Sequence, residues 1–286
     1  MTAISKKVGE GRLLPATSRL EKWPWWALTI ALAAVLIVFS ILTSPLYQDA
    51  FNFIKEGIIT TIRVTVIAYG LSLIGGLVLG LGRVSKNVIF YNLATLYVEV
   101  MRGIPMLVII LYSAFVVVPM SLELITGLGN WMVRIVPLVG LGQSLQQVNI
   151  QNVDMSVRAI AGLSLGYAAF EAEVFRAGIQ SIEKGQMEAA RSLGMTYIQS
   201  MRYVILPQAL RRVLPPLGND LIAMLKDSSL ISVLAVRDIT QLGKLYRARS
   251  FRSFEAYNTM AFLYLTMTLS LSMMVKYIEG RMSRES

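Results

Sequence analysis

A small set of polar and charged residues interrupts the otherwise apolar stretches of this 286-residue sequence. The candidates for chemistry are Arg102, Glu171, Glu173, Asn219, Lys226, Asp227 and Ser228. Ionisable groups inside a bilayer are costly, so they tend to pair with one another or to line a cavity used by a polar solute. We therefore predict that these residues lie along a substrate path.

Ion pairing is the alternative for several of these residues. Glu99 precedes Arg102 by three positions, and that spacing places both side chains on one helix face. Glu173 and Arg176 have the same spacing. Lys226 and Asp227 could instead stabilise a broken helix, since Pro215-Pro216 could introduce such a break.

The residues that most hydrolytic or metal-dependent sites require are absent. The sequence has no cysteine and no histidine, which removes the commonest metal ligand and general base. It also has no phosphate-binding loop of the GxxxxGK type. We therefore predict no catalytic residue, no metal site and no cofactor in this chain. If the protein does energised work, another chain must supply the energy.

The composition indicates a membrane protein. Hydrophobic residues make up 55% of the sequence and charged residues only 15%, against about 25% charged residues in soluble domains. The net charge of +10 could indicate nucleic-acid binding. However, the basic residues lie between apolar segments and form no continuous stripe. They fit better with the excess of Lys and Arg on the cytoplasmic side of membrane helices, so we predict a lipid environment and no nucleic-acid partner.

The apolar segments predict an all-α fold with about six transmembrane helices, because a crossing needs about 20 apolar residues. The predicted spans cover approximately 25–43, 58–81, 88–118, 158–180, 213–236 and 256–277. The first could be a secretory signal peptide, but no clear cleavage site follows it. Within the second, Gly76 and Gly80 form a small-xxx-small pair that favours close helix packing.

The stretch 119–157 is the hardest to assign. It is largely apolar but contains several glycines and prolines, which argues against one regular helix. We predict an outer loop with amphipathic or re-entrant pieces. This topology leaves both termini, including the segment 1–24, in the cytoplasm with most of the basic residues. The basic stretch 237–252 is the exception on the outside, and would suit an acidic partner.

The most informative segment lies at 185–208. It contains Glu-Ala-Ala, then Gly after three residues, then an aliphatic residue after nine more, and then Leu-Pro after one further residue. The matched positions are Glu188, Ala189, Ala190, Gly194, Val204, Leu206 and Pro207. The two alanines favour a helix and leave room for another surface, and glycine permits a sharp helix end. An ordinary solvated loop helix is the alternative, but it would not explain so many residues at fixed spacing.

This pattern resembles the cytoplasmic loop of the membrane subunits of bacterial ABC importers, with Val204 where isoleucine is usual. The segments 100–107, 170–179, 206–217 and 225–230 extend the resemblance to the polar amino acid permease branch. It covers approximately residues 55–280. The departures are the long segment 119–157 and the additional helix at 25–43.

The resemblance implies a five-helix type I ABC importer core at 55–280, preceded by an extra N-terminal transmembrane helix at 25–43. The coupling loop would be 181–212. It further implies an identical or homologous second permease subunit, a periplasmic substrate-binding protein, and two cytoplasmic ATPase subunits that carry ATP and Mg. The residues that would contact the ATPase are Gln186, Glu188, Ala189, Ala190, Leu193, Gly194 and Met195. The expected function is ATP-driven import of polar amino acids across the bacterial inner membrane.

Two other functions are compatible with a set of spans. An ion-coupled secondary transporter would also need intramembrane carboxylates, and it would act alone. A scaffold or channel would explain the spans but not the coupling-loop pattern.

Overall fold

The computed structural model describes residues 25–134, 139–146, 151 and 153–284. The predicted cytoplasmic segment 1–24 and parts of the predicted loop 119–157 therefore lie outside the described residues. The described chain is helical and contains no β-strand. It divides into two compact units, residues 1–48 and 49–286.

The described residues form thirteen α-helices. They are α1 (Trp25–Thr43), α2 (Pro45–Ile54), α3 (Gly57–Arg83), α4 (Val88–Gly103), α5 (Met106–Tyr112), α6 (Val118–Met132), α7 (Val139–Gln146), α8 (Met155–Gln180), α9 (Lys184–Ser192), α10 (Tyr197–Ser200), α11 (Leu206–Asp227), α12 (Ile239–Ser250) and α13 (Ser253–Arg284). Two π-helical turns, Ser113–Val117 and Met201–Ile205, and one 3₁₀ helix, Ser228–Leu234, connect some of them.

Helix α1 is apolar along its whole length and makes up most of the described part of the first unit. Its hydroxyl groups bond back to the helix: Ser40 Oγ donates to the Leu36 carbonyl and Thr43 Oγ1 to the Phe39 carbonyl. Back-bonding of this kind satisfies a hydroxyl where no water is available. The predicted helix at 25–43 is therefore present with the same bounds.

Helices α3 and α8 form the centre of the second unit. They run in parallel, because the residues in contact advance together: Ser164 Oγ donates to the Ala68 carbonyl, and Gly80 lies against Phe175. A Cβ on Gly76 would come within 2.6 Å of the Glu171 Cβ. Small residues let helix backbones approach in this way, as the sequence predicted for this pair.

The parallel packing restricts the topology between the two helices. If both helices cross the membrane, they cross it in the same direction. The chain between residues 83 and 155 must then cross the membrane an odd number of times. A single extra crossing within 119–157 would have made α3 and α8 antiparallel. The outer location of 119–157 nevertheless stays a prediction.

The predicted third span differs from the structure at both ends. Helix α4 stops at Gly103, because the residue before Pro105 is forced into an extended conformation, φ −104° and ψ 135° at Ile104. The next helical stretch continues from Met106 to Met132 rather than ending near 118. The π-helical turn at Ser113–Val117 lies directly before Pro119, where a local adjustment accommodates the missing N–H.

The predicted fifth span also differs. Helix α11 begins at Leu206, within the predicted loop, and remains helical through Pro215 and Pro216. The break that these prolines could have introduced is absent, and the α-helix ends at Asp227, followed by the 3₁₀ helix.

Three described helical stretches are long and apolar enough to cross a membrane: Pro45–Arg83, Met106–Met132 and Ser253–Arg281. The predicted number of six spans is therefore not confirmed. Helix α8 has many buried positions within the bundle, which allows it to carry charged residues that a lipid-facing helix would not.

Candidate functional site

The Glu-Ala-Ala segment forms a short helix with a well-defined end. Helix α9 ends in a pair of backbone hydrogen bonds, from Met195 N to the Ala190 carbonyl (3.2 Å) and from Gly194 N to the Arg191 carbonyl (3.0 Å). This is the Schellman arrangement, which needs a left-handed residue after the helix. Gly194 supplies it with φ +83°. The glycine is therefore required by backbone geometry, as the sequence suggested.

The chain restarts at once after this turn. Thr196 and Gln199 form a capping box: Gln199 N donates to Thr196 Oγ1 (3.3 Å), and Thr196 N donates to Gln199 Oε1 (2.8 Å). A reciprocal cap satisfies two backbone donors at a helix start. The turn between α9 and α10 is thus fixed from both sides by local hydrogen bonds.

One face of α9 is attached to the rest of the chain. Met187 packs on an apolar cluster that includes Ile182 and Ile205, and Ala190 is only 3% exposed. Gln208 Nε2 also donates to Gln186 Oε1 at 3.4 Å. The helix is therefore connected to the start of α11 through its inner face.

The opposite face of α9 is open. Among the predicted contact residues, Glu188, Ala189 and Gly194 are exposed there, and Leu193 is 84% exposed. Gln186 is exposed as well, although its side chain bonds to Gln208 on the attached face. An apolar side chain this exposed is typical of a surface that binds a partner when it lies within a larger patch.

The prediction that both alanines leave room for a partner needs a correction. Only Ala189 faces outward, because Ala190 is buried against its own chain. Met195 is partly buried. Ile198, just after the turn, was not among the predicted residues and is also strongly exposed, at 76%.

The attached face of α9 lies beside the C-terminal end of α3. A groove of about 740 Å³ is lined by Leu81 and Lys86 on one side and by Met187, Arg191 and Tyr197 on the other. The end of a central helix therefore lies across this groove from α9.

An ion-pair network joins three helices close to this end. Arg83 Nη1 of α3 lies 2.8 Å from Glu173 Oε2 of α8, and Arg83 Nη2 lies 3.2 Å from Glu99 Oε1 of α4. Arg176 also bonds to Glu173. The predicted Glu173–Arg176 pairing is present, whereas Glu99 pairs with Arg83 rather than with Arg102. The sequence did not identify Arg83 as a pairing residue. A basic residue at the end of a span is already explained by the excess of Lys and Arg on the cytoplasmic side.

A cavity of about 480 Å³ opens between α8 and α11. Its lining contains two arginines, Arg102 and Arg212, and two carboxylates, Glu173 and Asp220. Phe170 adds an aromatic face, and the Arg102 guanidinium lies 5.8 Å from its ring centroid. The cavity therefore presents both signs of charge and an apolar surface to a small polar solute.

The structure does not bring the remaining predicted path residues into this cavity. Glu171 is fully buried between α3 and α8, where Ser72 Oγ donates to its Oε1 at 2.7 Å. Tyr167 donates its hydroxyl to Asp227 Oδ2 at 2.8 Å, and Ser228 bonds to the Leu225 carbonyl. Contact between Glu171 and a solute would require the two helices to move apart.

Asn219 and Lys226 are exposed on helix α11, outside the set that lines the cavity. Asp220, between them in sequence, does line it. Asp220 and Arg212 both lie on α11. In the sequence, Asp220 falls within the predicted fifth span and Arg212 at the end of the predicted coupling loop, so nothing grouped them. Their grouping becomes visible only when α11 starts at Leu206 and runs as one helix.

Within the described ranges, no three or more carboxylate, histidine or cysteine side chains are grouped as a metal site would need. The described site therefore offers two things: a capped helix with an open face, and a charged cavity beside it. Together with the apolar helices they define a membrane subunit of a transport system that works with separate components.

Comparison with known proteins gives the particular family. Residues 72–284 match the family model described as "Binding-protein-dependent transport system inner membrane component". The chain is 34% identical over 236 residues to a probable glutamine ABC transporter permease protein of Bacillus subtilis (strain 168), covering 82% of this chain and 96% of the relative. It is 32% identical over 233 residues to a glutamine transport system permease protein of Escherichia coli (strain K12), covering 82% and 94%.

A solved structure titled "Crystal structure of an amino acid ABC transporter with histidines" is 32% identical, with a TM-score of 0.64, and covers 86% of this chain and 98% of that chain. A methionine ABC transporter structure at 19% identity and a TM-score of 0.59 shares the fold. The chain belongs to the family of binding-protein-dependent transport system inner membrane components. It is a bacterial membrane protein and a transporter subunit of type I ABC permease architecture.

Proposed function

We propose that this chain is the membrane subunit of an ATP-driven importer for polar amino acids of the glutamate, glutamine, aspartate or basic type. The observation that carries the proposal is helix α9, which has one face attached to the bundle and one face exposed. Its turn is capped from both sides. A short helix held in this way can transmit a partner's motion as a rigid body.

The partners follow from this role. Two cytoplasmic ATPase subunits bind the exposed face of α9 and carry the ATP and Mg, so that hydrolysis takes place on those chains. The contact residues proposed on this chain are Gln186, Glu188, Ala189, Leu193 and Gly194, with Ala190 and Met195 supporting them from the inner side. A second permease subunit, identical or homologous, completes the bundle, and a substrate-binding protein docks on the outside.

This arrangement sets the orientation. The coupling segment, which comprises α9, α10 and the turn between them (184–200), is cytoplasmic together with both termini, and the chain lies in the bacterial inner membrane. Closure of the ATPases on ATP would push α9 against the end of α3 and change the balance between inward- and outward-facing states. A nucleotide shifts such an equilibrium only by its differential affinity for the two states.

The substrate path runs through the cavity between α8 and α11. Arg102 and Arg212 suit the carboxylate of an amino acid, and Glu173 and Asp220 suit its ammonium group. The cavity includes Ser181 at the end of α8, on the side of the coupling segment. The cavity is thus suited to a zwitterion that leaves toward the cytoplasm. Glu171, Asn219, Lys226, Asp227 and Ser228 remain proposed path residues for a different state of the cycle.

The named relatives support the substrate class. Two are glutamine permeases, and another relative, 31% identical over 229 residues, is a glutamate/aspartate import permease protein of Escherichia coli. An ion-coupled carrier that acts alone does not fit a chain of the binding-protein-dependent family.

Reconstitution tests the proposal. The chain, co-expressed with its ATPase and second permease subunit, is placed in vesicles with the binding protein outside and labelled glutamine, glutamate or arginine as substrate. We expect uptake that requires ATP on the ATPase side and that stops when the ATPase is omitted. Uptake by this chain alone, driven by a proton or sodium gradient, would refute the importer assignment.

A further inference from the structure

Helix α12 and the residues that follow it lie at the opposite end of the bundle from the coupling segment. A Cβ on Gly57, the first residue of α3, would lie 2.4 Å from Ile239 N, so α12 starts against the beginning of α3. The coupling segment lies beside Leu81 and Lys86 at the other end. Between them α3 has 27 residues, a length of about 40 Å at 1.5 Å per residue, more than the ~30 Å hydrocarbon core. The two segments therefore lie on opposite sides of the membrane.

Helix α12 is firmly fixed to the bundle. Asp238 caps it by accepting from Gln241 N at 2.8 Å, and the Tyr264 hydroxyl donates to the same carboxylate at 3.1 Å. Ile239 N donates to Thr61 Oγ1, and Tyr246 is fully buried. A surface on such a helix is preorganised, which lowers the entropic cost of binding.

The outward surface of this segment is strongly basic. Arg237, Lys244, Arg247 and Arg249 are exposed and Arg252 is partly exposed. In the part of the chain that the structure describes, none of the five forms a salt bridge with a carboxylate. Basic residues on the outer side oppose the orientation rule for membrane proteins, so a structural or functional reason is needed to keep them there.

Phe251 provides a second, independent feature. It is 89% exposed and has a positive φ of 58°, although it is a bulky residue that strongly disfavours this conformation. Its N–H closes α12 by donating to the Arg247 carbonyl at 2.9 Å. A glycine would serve as well for the backbone, so the aromatic ring itself is the unexplained part. Phe254, three residues further along the chain, is 76% exposed.

Two of the five basic residues already have a partner in the bundle: Arg249 lies 3.8 Å from the Phe53 ring centroid, and Lys244 Nζ donates to Ser232 Oγ. Arg247 and Arg252 are close to Phe251 in sequence, and an exposed aromatic with such charges near it has the composition of a binding hot spot with a charged rim. We propose that the basic face of 237–252, centred on Phe251, docks an acidic surface of the extracellular substrate-binding protein. The proposal rests on the importer function proposed above, which makes this side the outside. The family description itself requires a binding protein. Arg247 and Arg252 attract the acidic surface, and Phe251 fills an apolar depression on it.

The test uses the complete importer in vesicles of neutral lipid, with the binding protein that supports uptake by the wild-type complex. The measured quantity is the binding-protein concentration that half-saturates stimulated ATP hydrolysis. We expect the double variant Arg247→Glu, Arg252→Glu to raise it about tenfold or more, and Phe251→Gly to raise it about tenfold. The half-saturating concentration of the wild-type complex should rise with ionic strength, whereas the half-saturating concentration of the charge-reversed variant should rise much less.

Ala235→Gly is the matched control. Ala235 also has a positive φ, 57°, and is exposed at the end of the 3₁₀ helix Ser228–Leu234. This variant relieves the same kind of backbone strain without removing an aromatic ring, so the half-saturating concentration should stay at the wild-type value. A similar rise in Ala235→Gly and Phe251→Gly would assign the effect to the backbone and overturn the proposal.

Two further outcomes would contradict the proposed docking surface. Values within twofold of the wild type for both the charge and the Phe251 variants overturn the docking surface. The variants are also assayed without binding protein, in vesicles that contain phosphatidylglycerol. If they alter ATP hydrolysis in these vesicles, the basic face binds lipid, and the proposed docking surface is overturned. Failure of the wild-type complex to respond to any binding protein would instead refute the importer function.

Discussion

The coupling segment and the charged cavity are neighbours, yet they are specified in different ways. The turn between α9 and α10 is held by hydrogen bonds between residues at most five apart in sequence, such as Met195 to Ala190. The cavity collects Arg102, Glu173 and Asp220 from three separate helices. The proposed ATPase contact is therefore determined locally, whereas the proposed solute cavity depends on the packing of the whole bundle.

The strongest way to break the locally determined region is Gly194→Val. Nothing lies within 4 Å of a Cβ built on Gly194, so only the positive φ opposes a side chain there. A left-handed conformation costs an ordinary L-residue about 1–2 kcal/mol, and a β-branched residue is worse placed still. We expect ATP-driven uptake to be abolished while the protein is inserted normally in the membrane, measured by uptake in vesicles and by membrane fractionation.

Gly185 offers the matched control for this prediction. A Cβ there also meets nothing within 4 Å, but Gly185 lies inside α9 without a positive φ. Gly185→Val should therefore keep most of the uptake, and Gly194→Asn should restore it, because asparagine tolerates the left-handed region. Equal loss in the two valine variants would show that backbone geometry at residue 194 is not the cause.

Glu173→Gln is the strongest way to disturb the region that depends on packing. Glu173 accepts from Arg83 and Arg176, and its side chain is 27% exposed. Hydrogen bonds to charged groups contribute about 1.5–3 kcal/mol each when buried, and less here because solvent has partial access. We expect uptake to fall about tenfold and the thermal midpoint of the purified complex to decrease.

Glu99→Gln is the matched control for Glu173→Gln. Glu99 contacts the same Arg83, at 3.2 Å, but its side chain is 63% exposed. Exposed ion pairs contribute little, about 0–1 kcal/mol. Glu99→Gln should therefore change uptake and the thermal midpoint only slightly, and a loss as large as that of Glu173→Gln would argue against a specific role for the cavity side of the network.

The same distinction explains which features the sequence predicted. The helix, its glycine exit and its exposed contact residues around Glu188 follow from local propensity and capping, so the sequence could identify them. The membrane class and the helix at 25–43 follow from composition and segment length. In contrast, Arg83 and Asp220 have no local mark. The carboxylates that pair with Arg83 are distant in sequence, and so are Arg102 and Glu173, which line the cavity together with Asp220.

The incorrect boundaries have a common physical cause. The glycines and prolines of 119–157 argued for a loop and Pro215-Pro216 allowed a break, as they would in a soluble protein. Glycine and proline are more frequent in transmembrane helices, where neighbouring helices and local π adjustments accommodate them. The structure accordingly has one helical stretch at Met106–Met132 and one α-helix at Leu206–Asp227.

Asp220→Asn and Glu171→Gln test whether a carboxylate in the cavity and a carboxylate buried between helices have different roles in transport. Asp220 lines the cavity, whereas Glu171 is fully buried at the contact between α3 and α8. We expect Asp220→Asn to raise the KM for substrate about fivefold, equivalent to about 1 kcal/mol, with little change in maximal rate. Glu171→Gln should leave the KM within about twofold and change the maximal rate, because we propose Glu171 for a different state of the cycle, which is reached when α3 and α8 move apart.

Concentration dependence of uptake in vesicles, with hydrolysis measured in parallel, separates the two parameters. An increased KM in Glu171→Gln would place Glu171 in contact with substrate, as the sequence alone suggested. An unchanged KM in Asp220→Asn would remove the cavity between α8 and α11 from the substrate path.

The smallest expected effect is that of Thr196→Ala, which tests whether the second cap supports the turn. The hydroxyl accepts from Gln199 N at 3.3 Å, and loss of such a cap typically costs about 1 kcal/mol. Helix α10 has only four residues and continues directly into a π-helical turn that carries the buried Ile205, so packing retains much of its position. Uptake should therefore fall no more than about twofold, and Thr196→Ser, which preserves the hydroxyl, should match the wild type. A loss approaching that of Gly194→Val would mean that the turn depends on both caps equally, and the coupling helix would then extend in function to residue 199.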